Sequence, residues 1–155
     1  MKLAEALILR ADCQKRISQL RERLERVVKV EEGDSPAEDP QTLLAKVDRI
    51  IENLTQLIQQ INRTNSQTPF ANSGTLADAL AERDTLRIKS NLYREVIKAT
   101  FGQNHGFFDG SVSARASVRT VNVAELQSQV DRLAQQGREL DTRIQEANWT
   151  IELLE

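Results

Sequence analysis

Leu126, Val130, Leu133, Gly137, Leu140, Ile144, Ala147, Ile151 and Leu154 recur at alternating steps of 4 and 3 residues along the last third of the chain. A repeat averaging 3.5 residues keeps one helix face against a neighbouring helix, and it suits neither a strand nor a loop. This seam constrains the fold more than any other feature: the chain packs long helices against long helices. It carries no chemistry of its own.

Two more seams precede it. Ala6, Cys13, Ile17, Leu20, Leu24 and Val27 keep the same register, with Arg10 as the one polar member. Leu43, Val47, Ile50, Leu54, Leu57 and Ile61 form another, and Leu44, Ile51 and Ile58 widen it by a second row. A stripe that broad packs against two neighbours and predicts an inner position in a bundle. Gly33, Pro36 and Pro40 break the pattern between the first two seams, with Asp39 placed as a cap and Pro40 at the first helical position. Thr75 stands three residues before Asp78, and Asn122 three before Glu125, both signals of a helix start. The third helical stretch has the poorest pattern, since Leu76, Leu80, Leu86, Ile88, Leu92, Val96 and Ile97 join in no clean seam.

After Asp109-Gly110, Val112, Ala114, Ala116 and Val118 alternate with Ser113, Arg115, Ser117 and Arg119, a period of two that predicts a short hairpin. The expected architecture is all-α: one domain over residues 1–155, an antiparallel bundle of about four long helices with coiled-coil-like packing. Its helices span about 3–30, 41–65, 76–100 and 123–154, with a short β-hairpin at about 105–119.

Composition narrows the function. Hydrophobic residues make up 39% and aromatics 4%, so apolar stripes are narrow and leave surface that a second copy commonly covers. A homo-oligomer is expected, with Leu126, Val130, Leu133, Leu140, Ile144, Trp149 and Ile151 at its interface and Gly137 allowing close helix approach. A net charge of -2 predicts no nucleic-acid partner. No apolar run approaches the ~18 residues of a membrane helix, so no membrane partner is expected. Cys13 is the single cysteine and falls on an apolar seam; with no secretory signal, it predicts a core residue in a cytoplasmic protein. His105 is the only histidine, so neither a Glu-x-x-His carboxylate-metal site nor a zinc site can be assembled. No catalytic residues, metal ligands or cofactors are expected, and the chain reads as no enzyme.

Two polar groups exceed what a plain scaffold requires. Arg83, Arg87, Asn91, Arg94 and Lys98 repeat at 4, 4, 3 and 4 residues and form one stripe on the third helix. Clustered guanidinium groups bind anions bidentately, although the interleaved Glu82, Asp84 and Glu95 favour a solvated, ion-paired face. Asn62, Arg63 and Asn65 end the second helix while Asp78 and Asp84 begin the third, and a buried polar network there would fix helix register.

Met1-Lys2-Leu3-Ala4-Glu5-Ala6-Leu7, Ile61-Asn62-Arg63-Thr64-Asn65, Leu76 to Asp84, and Arg138 to Gln145 with Asn148-Trp149-Thr150 resemble a family of small bacterial helical proteins of unknown function. Some of its members carry the label septicolysin. The resemblance spans nearly the whole chain; it implies an all-helical bacterial cytoplasmic protein and brings no catalytic residues. The label implies cell lysis, but the alternating run from Val112 to Val118 is shorter than the ~9–11 residues of a membrane strand. The functional expectation is a self-associating structural or interaction protein. A module binding an anionic ligand or nucleic acid through the third-helix stripe is the alternative, and a membrane-active lysin the second.

Overall fold

The computed structural model describes residues 1–71, 74–102 and 116–155. It holds four helices: α1 (Leu3–Val27), α2 (Pro40–Gln67), α3 (Leu76–Phe101) and α4 (Val123–Thr150). Each expected helix is present, and the fold is all-α. Among the described residues there is no strand. The hairpin expected at 105–119, with His105, lies mostly outside the described residues, and its described end, 116–119, is not strand. Val118 is 82% exposed, so the alternation there has no packed face to serve. The chain divides into two compact units: Met1–Asp78 with Ile144–Glu155 (unit 1), and Ala79–Arg143 (unit 2).

Unit 1 is built on the α1 and α2 seams. Leu20, Val27 and Leu43 form a buried cluster with Leu24, Val47 and Ile50 packed on it, as the 3.5-residue spacing requires. Asp39 caps α2 by accepting from the Thr42 N–H at 2.9 Å, with Pro40 as the first helical residue. Thr75 and Asp78 start α3 reciprocally: Asp78 accepts from the Thr75 N–H and hydroxyl, both at 2.8 Å, and its own N–H donates to Thr75 Oγ1 at 3.3 Å. α1 ends three residues earlier than expected, because Val28 and Val30 are exposed and nothing buries a further turn. α4 also stops early, at Thr150. Beyond it the chain runs alongside the first residues: the Leu3 N–H donates to the Ile151 carbonyl (2.9 Å) and the Leu153 N–H to the Met1 carbonyl (2.8 Å). Lys2 Nζ meets Glu152 at 2.6 Å. These bonds replace those of another helical turn. The second α2 row stays exposed, with Leu44 at 42%, Ile51 at 44% and Ile58 at 37%, so the expected inner position of α2 is not realised within this chain.

In unit 2, α3 and α4 run antiparallel, with Arg83 beside Asp141 (3.8 Å) and Arg119 Nε donating to the Thr100 carbonyl (3.4 Å). α3 does carry a seam. Ala79, Arg83, Leu86, Ser90, Tyr93, Ile97 and Thr100, at steps of 4 and 3, are buried or half-buried. It escapes an apolar count because Arg83, Ser90 and Thr100 occupy seam positions while Ile88 and Leu92 point outward, 67% and 58% exposed.

Candidate anion-binding cleft

The α3 seam places two polar side chains, Arg83 and Ser90, where a helix pair ordinarily sets apolar ones. Arg87, Asn91 and Arg94 follow at helical spacing and occupy the adjoining row. From α4, Leu133, Ala134, Gly137, Arg138 and Asp141 complete a cleft of about 330 Å³. Four members of the expected stripe therefore line one hollow, and Lys98, two turns beyond Asn91, does not.

The register explains why the helices leave space. With Arg83 beside Asp141, four residues forward on α3 and four back on α4 bring Arg87 level with Gly137; three more bring Ser90 level with Ala134. Large cations thus face the smallest residues. A methyl group built on Gly137 would meet no atom within 4 Å. Gly137 therefore opens the cleft within the single chain.

The charges are unevenly satisfied. Arg83 is held by Asp84, with Nη2 at 2.9 Å and Nε at 3.1 Å from Oδ1, besides its longer contact with Asp141. Arg94 Nη1 donates to Asn91 Oδ1 at 3.4 Å. Among the described residues no carboxylate pairs with Arg87, Arg94 or Arg138. Among the described residues Asp141 accepts no hydrogen bond, and the guanidinium of Arg83 stands 3.8 Å from it. Ser90 is 6% exposed, and its hydroxyl has no hydrogen-bond partner among the described residues. An orphaned buried hydroxyl costs about 1–3 kcal/mol. A native structure that keeps one invites a functional explanation. The sequence reading missed Ser90, Arg138 and Asp141; a 3.5-residue count that admitted polar members would have found Ser90.

A second basic hollow, of about 380 Å³, lies on α1 and α2 among Arg16, Arg23, Lys46 and Arg49. Its charges are more fully answered. Glu38 clamps Arg23 through two hydrogen bonds, which holds the Glu38 carboxyl below its ordinary range, and Asp12 sits 3.7 Å from Arg16. Among the described residues it has no orphaned buried polar atom.

The other expected groups are placed differently. Val130, Leu140 and Ile144, expected at an oligomer interface, are 3%, 8% and 0% exposed within the single chain, so their apolar surface is already covered. Leu126, Leu133 and Ile151 are half-buried, and Trp149 is exposed. The polar network does not assemble. Arg63 donates to the Glu155 carbonyl, Asp78 is used by Thr75, and Asp84 by its neighbour Arg83. Asn62 is exposed and Asn65 half-buried. The buried polar residue at that end of α2 is instead Thr64, fully enclosed. Cys13 is half-buried on the α1 seam. Among the described residues no cluster of side chains could hold a metal ion, and no helix is long and apolar enough to cross a membrane.

Residues 10–153 match the model of a family of unknown function, DUF6847. The chain belongs to that family. It is also similar to a functionally unknown conserved protein from Corynebacterium diphtheriae, known from a crystal structure. The two share 39% identity over 99% of each chain, with a TM-score of 0.89. No curated protein matches. The resemblance drawn from the sequence thus holds at the level of a helical family of unknown function.

Proposed function

We propose that this protein is a binding module, not an enzyme, and that it captures an anionic ligand in the α3–α4 cleft. The observation that carries this reading is the orphaned Ser90 hydroxyl, buried in a cleft where no carboxylate among the described residues pairs with Arg87, Arg94 or Arg138. Hydroxyl and guanidinium donors converging on one space suit a tetrahedral or planar oxyanion. The burial of Val130, Leu140 and Ile144 within the single chain is in keeping with this reading, because it leaves less of the α4 seam for self-assembly. The single cysteine fits a cytoplasmic setting.

Calorimetric titration of the purified protein with inorganic phosphate, at low and at physiological salt, tests the proposal. Saturable binding that weakens with salt, and that Arg87→Glu abolishes while the helical circular dichroism is kept, is the expected result. Absence of binding at both salt concentrations overturns it.

Self-association is a second reading, and it rests on a different surface from the one the sequence suggested. Leu44, Ile51 and Ile58 are exposed and spaced by seven residues, one coiled-coil repeat. Sedimentation of Ile51→Asp beside the unaltered protein tests it. A loss of mass supports a helix-mediated assembly through α2, and a monomer in both removes it.

A further inference from the structure

We infer that the ligand of the cleft is a small phosphomonoester bearing hydroxyl groups, and that Asp141 selects it. The inference rests on the anion-binding reading above and adds the chemistry of the ligand. The cleft is polar in two different ways along its length. Around the level of Arg87 and Gly137 it offers cationic donors, the guanidinium groups of Arg87 and Arg138, which no carboxylate pairs among the described residues, together with the Ser90 hydroxyl. That is a phosphate end. A carboxylate follows, since Asp141 lines the same cleft and accepts no hydrogen bond among the described residues. Asp141 lies four residues from Gly137, so the two levels are about 6 Å apart at 1.5 Å per residue.

A monophosphate ester places hydroxyl groups about that far from its phosphorus. Its hydroxyls would donate to Asp141 while the phosphate fills the guanidinium end. A diphosphate or a nucleic-acid backbone instead carries a further anion towards the carboxylate, where like charges repel. The volume of about 330 Å³ is at the small-molecule end of ligand pockets. Arg83 would not compete for this role. Asp84 already holds it, so it steadies the Asp141 end without supplying a free charge.

The test compares inorganic phosphate, pyrophosphate and a ribose monophosphate by calorimetry on the intact protein and on Asp141→Asn and Gly137→Leu. In the unaltered protein the ribose monophosphate should bind about tenfold or more tighter than the other two, the scale of a hydrogen bond to a charged group. Asp141→Asn should lower its affinity and raise that of pyrophosphate. Gly137→Leu fills the cleft from a position with free space, and should abolish binding of all three without loss of folding. Equal binding of the three probes, or a ranking that Asp141→Asn leaves unchanged, overturns the selection by Asp141 and leaves anion capture standing. Undiminished binding by Gly137→Leu overturns the location. If none of the probes binds the unaltered protein, anion capture itself fails, and this inference with it.

Discussion

Thr64 and Ser90 are both hydroxyl residues buried on the inner face of a helix, yet the two units treat them in opposite ways. In unit 1 the Thr64 hydroxyl donates to the Gln60 carbonyl at 2.8 Å and accepts the Leu154 N–H at 2.9 Å, so the chain closes on itself there. In unit 2 the Ser90 hydroxyl is enclosed and finds no hydrogen-bond partner among the described residues. The apolar cores differ in the same sense. Leu3, Leu43, Ile61, Leu76 and Ile144, the largest fully buried apolar side chains, all belong to unit 1. Unit 2 leaves side chains half-covered and donors unpaired around a cleft. One unit answers its buried hydroxyl with its own backbone, and the other leaves one unanswered among the described residues.

The largest expected effect tests whether the cores really differ. Ile61→Ala should cost about 2–5 kcal/mol, the range for emptying an enclosed site. Leu133→Ala, at a half-buried position in unit 2, should cost distinctly less. Urea denaturation of both variants measures this. Equal losses would mean that unit 2 is as tightly packed as unit 1, and the contrast would fall.

Hydroxyl removal comes next and should reverse in sign between the units. Thr64→Val leaves the Leu154 N–H and the shape of the side chain but no acceptor, at a cost of about 1–3 kcal/mol. Ser90→Ala removes a group that has no bond to lose, and should raise stability by about 1 kcal/mol while weakening phosphate binding. If Ser90→Ala destabilised the protein as Thr64→Val does, the hydroxyl would have a structural partner and the argument from its isolation would end.

These contrasts also show what the sequence could and could not disclose. The α1, α2 and α4 seams were legible because apolar residues fill nearly every position, and burial follows a 3.5-residue count wherever side chains agree with it. The starts of α2 and α3 were legible because Asp39, Pro40, Thr75 and Asp78 act within one turn, through local bonds. α3 hid its inner face. Arg83 and Ser90 sit on the seam and Ile88 and Leu92 off it, so hydrophobicity marked no single side of the helix. The arginine stripe was visible as helical spacing, but Arg138 and Asp141 lie about fifty residues further on, and only the pairing of α3 with α4 joins them to it. Burial of the α4 seam within one chain was equally a question of partner, which periodicity alone does not answer: an intramolecular and an intermolecular helix satisfy the same stripe.

Two glycines sharpen the comparison at a smaller scale. Gly74 adopts φ +96°, and a methyl group built on it would stand 2.6 Å from the Asp78 carboxylate that starts α3. Gly74→Ala should therefore cost about 1–2 kcal/mol, through a strained backbone and a displaced cap. Gly137 lies within α4 with open space around it. Gly137→Ala should stabilise by about 1 kcal/mol, the helix-propensity difference. Thermal melts of the pair would show opposite shifts; a loss of stability in Gly137→Ala would mean that the cleft is narrower than its lining implies.

The smallest effect is acid sensitivity, and it belongs to the closed unit. Hydrogen bonds from the Thr42 hydroxyl and N–H hold Asp39 below its ordinary value of 3.8, and the Thr75 N–H and hydroxyl do the same for Asp78. Glu152 is lowered from 4.5 chiefly by its hydrogen bond with Lys2. A carboxylate whose folded pKa lies below its unfolded one contributes stability above the unfolded value and loses it as pH falls through the folded value. The melting temperature should thus be level with respect to these groups above about pH 5 and decline as pH drops below their ordinary range. Their exposure and screening by solvent keep the decline shallow. Asp39→Asn and Asp78→Asn should each flatten it further, because an uncharged amide cannot titrate. If the unaltered protein and both variants lost stability in parallel with falling pH, the caps of unit 1 would not be the source of the acid response.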